Sequence, residues 1–108
     1  MNIKNLEKIN VKAQDDVKAI FNVLSKYPKI QKITILGAAI TDKYTDSDTF
    51  FISIDTTDID TFIDACKVVS NIVDGTVRDI DYINGADKDF YTAYKKELEN
   101  GVIIYENR

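Results

Sequence analysis

Apolar residues along the chain recur with two periods, one helical and one extended. From Lys12 to Lys26, Val17, Ile20, Phe21 and Leu24 fall at i, i+3, i+4 and i+7, which predicts a helix with one buried stripe. Pro28 stops it, because proline cannot continue the hydrogen-bond ladder. Ile33 to Leu36 is an apolar run closed by Gly37 and reads as a buried strand. Residues 38–48 are polar and irregular. Phe50 to Ile54, rich in aromatic and β-branched residues, reads as a second strand. A second helix is expected from Asp58 to Asp74, with Thr57 as its cap, Asp60 as capping partner and Gly75 just past its end. Its expected buried face is Ile59, Phe62, Ile63, Cys66, Val69 and Val73. Val77 to Ile83 reads as a third strand, made partly polar by Asp79 and Asp81. Phe90, Tyr94 and Leu98 set a third helix over 87–99, ended by Asn100-Gly101, and Val102 to Tyr105 reads as the last strand. Residues 1–11 carry no pattern that assigns them.

Helices alternating with short strands predict an α/β (α+β) fold, a small mixed sheet of about four strands covered by helices. The 108 residues fit one domain spanning 1–108. Composition sharpens this picture mainly by exclusion. A net charge of −4 argues against a general nucleic-acid binder. The charge is uneven, since Lys4, Lys8, Lys12, Lys18, Lys26, Lys29 and Lys32 crowd the first third against Glu7, Asp15 and Asp16. That third presents either a solvated lysine face or a surface for an acidic partner. The chain has one cysteine, Cys66, and no histidine, which removes disulfide frameworks, His-based triads and most zinc sites. Cys66 reads as an inert core residue. No apolar run approaches the roughly 20 residues of a membrane span. Nor does one follow Met1-Asn2-Ile3-Lys4-Asn5, so no signal peptide is expected. The expected location is the cytoplasm, with no membrane contact.

One constellation carries chemistry. Ile33-Thr34-Ile35-Leu36-Gly37-Ala38 is followed by Ser47-Asp48 and then by Phe50-Phe51-Ile52. Further on come Ile80-Asp81-Tyr82 and Gly101-Val102-Ile103-Ile104-Tyr105-Glu106. Taken in order, these segments resemble the minimal nucleotidyltransferase family. In that family an apolar strand runs into Gly-Ser, a polar segment ends in Ser-Asp-x-Asp, and a later strand carries a third acid. The resemblance covers about residues 13 to 106 and implies a nucleotidyltransferase-like fold. It also implies Mg²⁺ and an NTP as cofactor and substrate, and a separately encoded helical protein partner of the toxin–antitoxin kind.

Nucleotidyl transfer is an in-line attack on phosphorus, lowered in barrier chiefly by positioning and by divalent metal. Carboxylates on alternate residues of a strand point to one side, and a third from a neighbouring strand completes an oxygen cage for Mg²⁺. By resemblance, Asp48 and Asp81 are the catalytic metal ligands, and Gly37 and Ala38 form the phosphate-binding turn. The sequence departs from the family at two of these places. Ala38 stands where the family has serine, and the second carboxylate of the Asp-x-Asp pair falls on Phe50. Asp46 and Asp48 form an Asp-x-Asp pair of their own, which supplies both ligands only if the register slips by two and the loop shortens.

Three readings follow. The chain is a nucleotidyltransferase-fold protein with an eroded site that acts as a binding or regulatory, antitoxin-like partner; or it is an active Mg²⁺-dependent enzyme moving a nucleotide onto a protein or small-molecule hydroxyl; or it is an unrelated small α/β interaction module. A homodimer is compatible with each, because a domain of this size gains stability by covering an apolar edge. Against them stands the plain alternative that Asp46, Ser47 and Asp48 are loop residues, Asp79 and Asp81 face solvent on an edge strand, Gly37 only ends a strand, and Tyr44 is an exposed loop tyrosine.

Overall fold

The computed structural model describes residues 2–76 and 78–107. Four strands form one mixed sheet in the order β3-β2-β1-β4. They are β1 (Lys32–Leu36), β2 (Phe50–Asp55), β3 (Ile80–Ile83) and β4 (Val102–Glu106). β1 lies antiparallel to both β2 and β4, while β2 and β3 run parallel. The helices are α1 (Gln14–Leu24), α2 (Ile59–Ile72), α3 (Lys88–Ala93) and α4 (Lys95–Asn100). This is the mixed α/β arrangement expected from the alternation of periods. None of the helices among the described residues is long and apolar enough to cross a membrane.

Strand alternation divides the sheet into two faces. Ile33 and Ile35 pair with Ile54 and Ile52, and together with Phe50 they are fully buried. α1 closes over this face with Val17, Ile20, Phe21 and Leu24, all buried as their spacing predicts. Phe21 meets the ring of Tyr105 edge-on at 6.0 Å. A register shift between Ile33 and Thr34 on the β4 side lets the neighbours Ile104 and Tyr105 both enter the core. The opposite face carries Thr34, Leu36, Phe51 and Ser53. The junction of α3 and α4 covers part of it, where Tyr94 sets its ring edge-on to Phe51 at 5.7 Å. The single helix expected over 87–99 is therefore two short ones, interrupted where Tyr94 turns onto the sheet.

The N-terminal segment becomes assignable through backbone pairing rather than periodicity. The Lys4 N–H donates to the Ile104 carbonyl at 2.9 Å and the Asn5 amide to the Ile103 carbonyl at 2.8 Å, so residues before α1 run beside β4. Two single helical turns, Leu6–Lys8 and Val11–Ala13, lead into α1 and bury Ile9 and Ala13.

α2 differs in detail from its expectation at both ends and on its face. The cap is Asp58, not Thr57: its Oδ2 accepts from the Thr61 N–H at 3.0 Å and from the Thr61 hydroxyl at 2.6 Å. At the other end Asp74, not Gly75, takes the left-handed conformation, with φ 55°. The Gly75 N–H then reaches back to the Ser70 carbonyl at 2.7 Å, closing a Schellman turn. The fully buried helix positions are Ala65 and Val69, with Val73 beyond the end. Ile59 and Ile63, expected in the core, are 65% and 47% exposed. β3 is also shorter than its sequence pattern. It starts at Ile80; Val77 lies outside the described residues, and Arg78 turns its side chain away to the loop before β2.

Candidate functional site

Of the constellation's residues, Gly37, Phe51 and Asp81 come together at the end of β1 and the start of β2, on the face opposite α1, whereas Asp46 lies with Arg78 near Asp16 of α1. β1 ends in Gly37, whose φ of +72° is left-handed. A side chain there would be strained, and its Cβ would stand 3.2 Å from the Cβ of Phe51. Gly37 to Ile40 then form one tight helical turn. The Ala38 carbonyl accepts from the Thr41 N–H at 2.9 Å and the Thr41 hydroxyl at 2.7 Å. Ala38 packs half-buried against the core, and Ala39 is fully buried. The Ala39 carbonyl accepts from the Asn10 N–H at 2.8 Å, tying the turn to the segment before α1.

Asp81 lies on β3 directly opposite Phe51 of β2 and is exposed. Phe50, which the sequence spacing put at the second carboxylate position, is instead fully buried in the core on the other face. Its backbone N–H donates to the Asp79 carbonyl at 2.9 Å. The phenyl ring next to Asp81 therefore belongs to Phe51. Phe51 touches the place where Gly37 lacks a Cβ and packs against Tyr94. The one-residue offset has a simple cause: strand alternation is counted from where the ladder begins, and the loop sequence gives no count of that point.

Asp48 sits before the ladder. Its Oδ2 accepts from the Thr45 N–H at 2.8 Å and the Thr45 hydroxyl at 3.2 Å, which closes the turn 45–48. Asp46 points to solvent and holds the Arg78 guanidinium at 3.1 Å. Arg78 is the residue that sequence reasoning passed over. Its side chain is only 11% exposed, donates to the Tyr44 hydroxyl, and lies 5.4 Å from the centroid of the Tyr44 ring. Tyr44 is buried rather than an exposed loop residue. Burial raises the Asp16 carboxyl above its ordinary range, with Arg78 pulling it back and Asp15 and Asp46 pushing it up. Burial likewise raises the Tyr44 phenol, again opposed by Arg78. The sign of a structural role was present in the sequence, since Arg78 is one of just two arginines beside 12 lysines; together they make the 14 basic residues. Arginine's fork suits partly buried, multi-partner sites better than lysine's flexible ammonium.

A second polar group fills the C-terminal ends of β2 and β3. Asp55 Oδ1 accepts from the Ser53 hydroxyl at 2.8 Å and from the Gly85 N–H at 3.0 Å. Lys32 approaches Asp55 Oδ2 at 3.9 Å. Asn84 spans the same end, donating to the Thr56 carbonyl at 2.7 Å and accepting from the Thr56 N–H at 3.2 Å. These groups are buried and mutually satisfied, which fixes the β3–α3 connection to β2.

The donor set does not fit a two-metal centre. Asp81 has a phenyl ring as its β2 neighbour, one Asp48 oxygen is engaged in its own turn, and Asp46 is paired with Arg78. Among the described residues no group of three or more acids, histidines or cysteines is placed to hold a metal ion. Hard divalent cations need several oxygen ligands, and the apolar contact of Phe51 with Gly37 supplies none. No protein-family model and no curated protein sequence matches the chain.

Proposed function

We propose that the chain is a nucleotidyltransferase-fold protein whose metal and phosphate site has eroded, and that it works by binding, as a regulatory partner of the antitoxin-like kind, rather than by catalysis. Phe51 carries this reading. It occupies the β2 position opposite Asp81 and lies against the glycine turn that ends β1. A carboxylate at that position would face Asp81 across the ladder, where two acids can share a cation. A phenyl ring there removes charge and ligands together. Ala38 completes the change, leaving the turn without the hydroxyl that the resemblance expects of it.

The sheet order supports the reading in a second way. An antiparallel β1–β2 pair followed by a parallel β3 brings the end of β1, the start of β2 and β3 together. The resemblance implies such a relation for Gly37 and Asp81. On this reading the scaffold is kept and the chemistry-bearing side chains are lost.

The test is restoration. Ala38→Ser with Phe51→Asp puts a hydroxyl on the turn and a carboxylate opposite Asp81, Phe50 being buried on the other face. The expected result is Mg²⁺-dependent ATP binding by the folded double variant and none by the wild type, with far-UV circular dichroism checking the fold. Transfer of nucleotide from an NTP by the wild type would overturn the reading and favour the enzyme.

A further inference from the structure

The helical period of α2 assigns it a wider apolar face than the fold buries. Ile59, Phe62, Ile63 and Cys66 follow i, i+3, i+4 and i+7, yet Ile59 and Ile63 stand 65% and 47% exposed. Beside this stripe lies an open groove of about 490 Å³ between α2 and the edge strand β3, lined by Phe62, Ile63, Cys66, Ser70 and Tyr82. Its floor is fixed, because the Ser70 and Tyr82 hydroxyls are hydrogen-bonded to one another across it. The groove continues past Ile63 and Lys67 into a second depression bounded by Asp58, Asp60 and Asp64. Asp60 and Asp64 are both exposed, and Lys67 is the one basic residue that the two depressions share. Lys29 pairs with Asp58 at 3.7 Å.

We infer that this groove is a docking site for an amphipathic cationic helix of another protein, lying along α2. Three features fix the partner's chemistry. The stripe from Ile59 to Ser70, exposed at Ile59 and Ile63 and half-buried at Phe62, Cys66 and Ser70, spans three helical turns, on the order of 16 Å, which suits the apolar face of a helix of similar length. The acidic rim asks for lysine or arginine flanking that face. A second copy of this chain fits poorly, since its own surface offers Lys67 as the one basic lining residue beside Asp60 and Asp64, so two copies would bring together faces of the same net sign. The surface lies on the α1–α2 side of the sheet, across from Phe51 and Asp81. The inference therefore names the surface for the binding role proposed above but does not depend on the state of the nucleotide site.

The probe is a fluorescein-labelled peptide of about four helical turns, leucine on one face and lysine on the other, titrated by fluorescence anisotropy into the intact chain. A peptide with glutamate in place of every lysine is the control. Binding of the lysine peptide is expected. Ile59→Ser with Ile63→Ser should weaken it at least tenfold, and Asp60→Asn with Asp64→Asn should weaken it several-fold and flatten its salt dependence. The glutamate peptide should not bind. Both pairs lie on the surface of α2, so each variant should keep the fold, which far-UV circular dichroism checks. No binding, equal binding of both peptides, or binding indifferent to the isoleucine pair would overturn the inference. So would a wild-type dimer in sedimentation velocity that the isoleucine pair dissolves, which would make the occupant a second copy. Nucleotide transfer by a chain that still binds the peptide in this way would refute the eroded-site reading and leave the groove standing.

Discussion

Gly37→Ala isolates what the turn after β1 requires of its backbone. The φ of +72° puts an alanine in the left-handed region, at a cost of about 1–2 kcal/mol. The added Cβ would stand 3.2 Å from the Phe51 Cβ, a contact that neither residue relieves by rotating a side chain. It adds a fraction of a kcal/mol to about 1 kcal/mol of strain. Restriction of the unfolded chain returns about 0.4–1 kcal/mol, so the expected net loss is about 1–2 kcal/mol. Gly37→Asn supplies the comparison. It adds the same Cβ, but asparagine tolerates left-handed backbone better than alanine, so it should be the more stable of the two. Urea unfolding followed by circular dichroism reads both differences as midpoint shifts at constant slope. A Gly37→Ala protein as stable as the wild type would mean that the turn does not have this conformation. The described contact of Phe51 with Gly37 would then fall with it.

Four further outcomes follow from the same structure. Arg78→Met should destabilise by about 2–4 kcal/mol, since it removes a charge-assisted hydrogen bond and a ring contact together; Tyr44→Phe should lose only about 1 kcal/mol, and equal losses in urea melts would show that Arg78 does not bind both hydroxyl and ring. Asp74→Gly should stabilise by roughly 0.5–1 kcal/mol, because glycine takes the left-handed end of α2 without strain, and a lower urea midpoint would refute the assigned turn. Burial pushes the Cys66 thiol up to about 11 from its ordinary 9.0, so iodoacetamide at pH 8 should alkylate it roughly tenfold more slowly in the folded than in the unfolded chain; equal rates would refute that environment. The Thr61 hydroxyl and N–H, more than Lys29, hold the Asp58 carboxyl below its ordinary 3.8. A lowered folded value contributes stability that is complete above the unfolded value and is lost as pH falls through the folded one. Asp58→Asn should therefore flatten the fall in stability below about pH 4, and an unchanged acid limb would refute the assignment.

The elements that periodicity revealed are those whose burial is decided within one segment. α1 announces itself through Val17, Ile20, Phe21 and Leu24, and each lies where the spacing put it. The β1 and β2 runs are apolar because they are central strands, and central strands need no partner information to be recognised. The N-terminal segment was illegible because its order comes from pairing with β4, nearly a hundred residues away, which leaves no local period. The break at Tyr94 was hidden because Phe90, Tyr94 and Leu98 keep helical spacing through it. In the candidate site, Gly37 and Asp81 were visible as types of residue, but their neighbour was not. Whether Phe50 or Phe51 meets Asp81 depends on where the β2 ladder begins, a matter of one residue that reverses the face of every side chain. Ile59 and Ile63 erred in the instructive direction: the sequence marks them as buried, and the fold of this chain leaves them exposed.

The proposed loss of nucleotide chemistry is tested most directly by calorimetric titration of the wild-type chain with ATP, in the presence and absence of Mg²⁺. The account predicts no binding heat under either condition, because Phe51 stands beside Asp81 and Asp48 is bonded within its own turn. Mg²⁺-dependent binding that Asp48→Asn or Asp81→Asn abolishes would contradict it, and would return both carboxylates to the role of metal ligands.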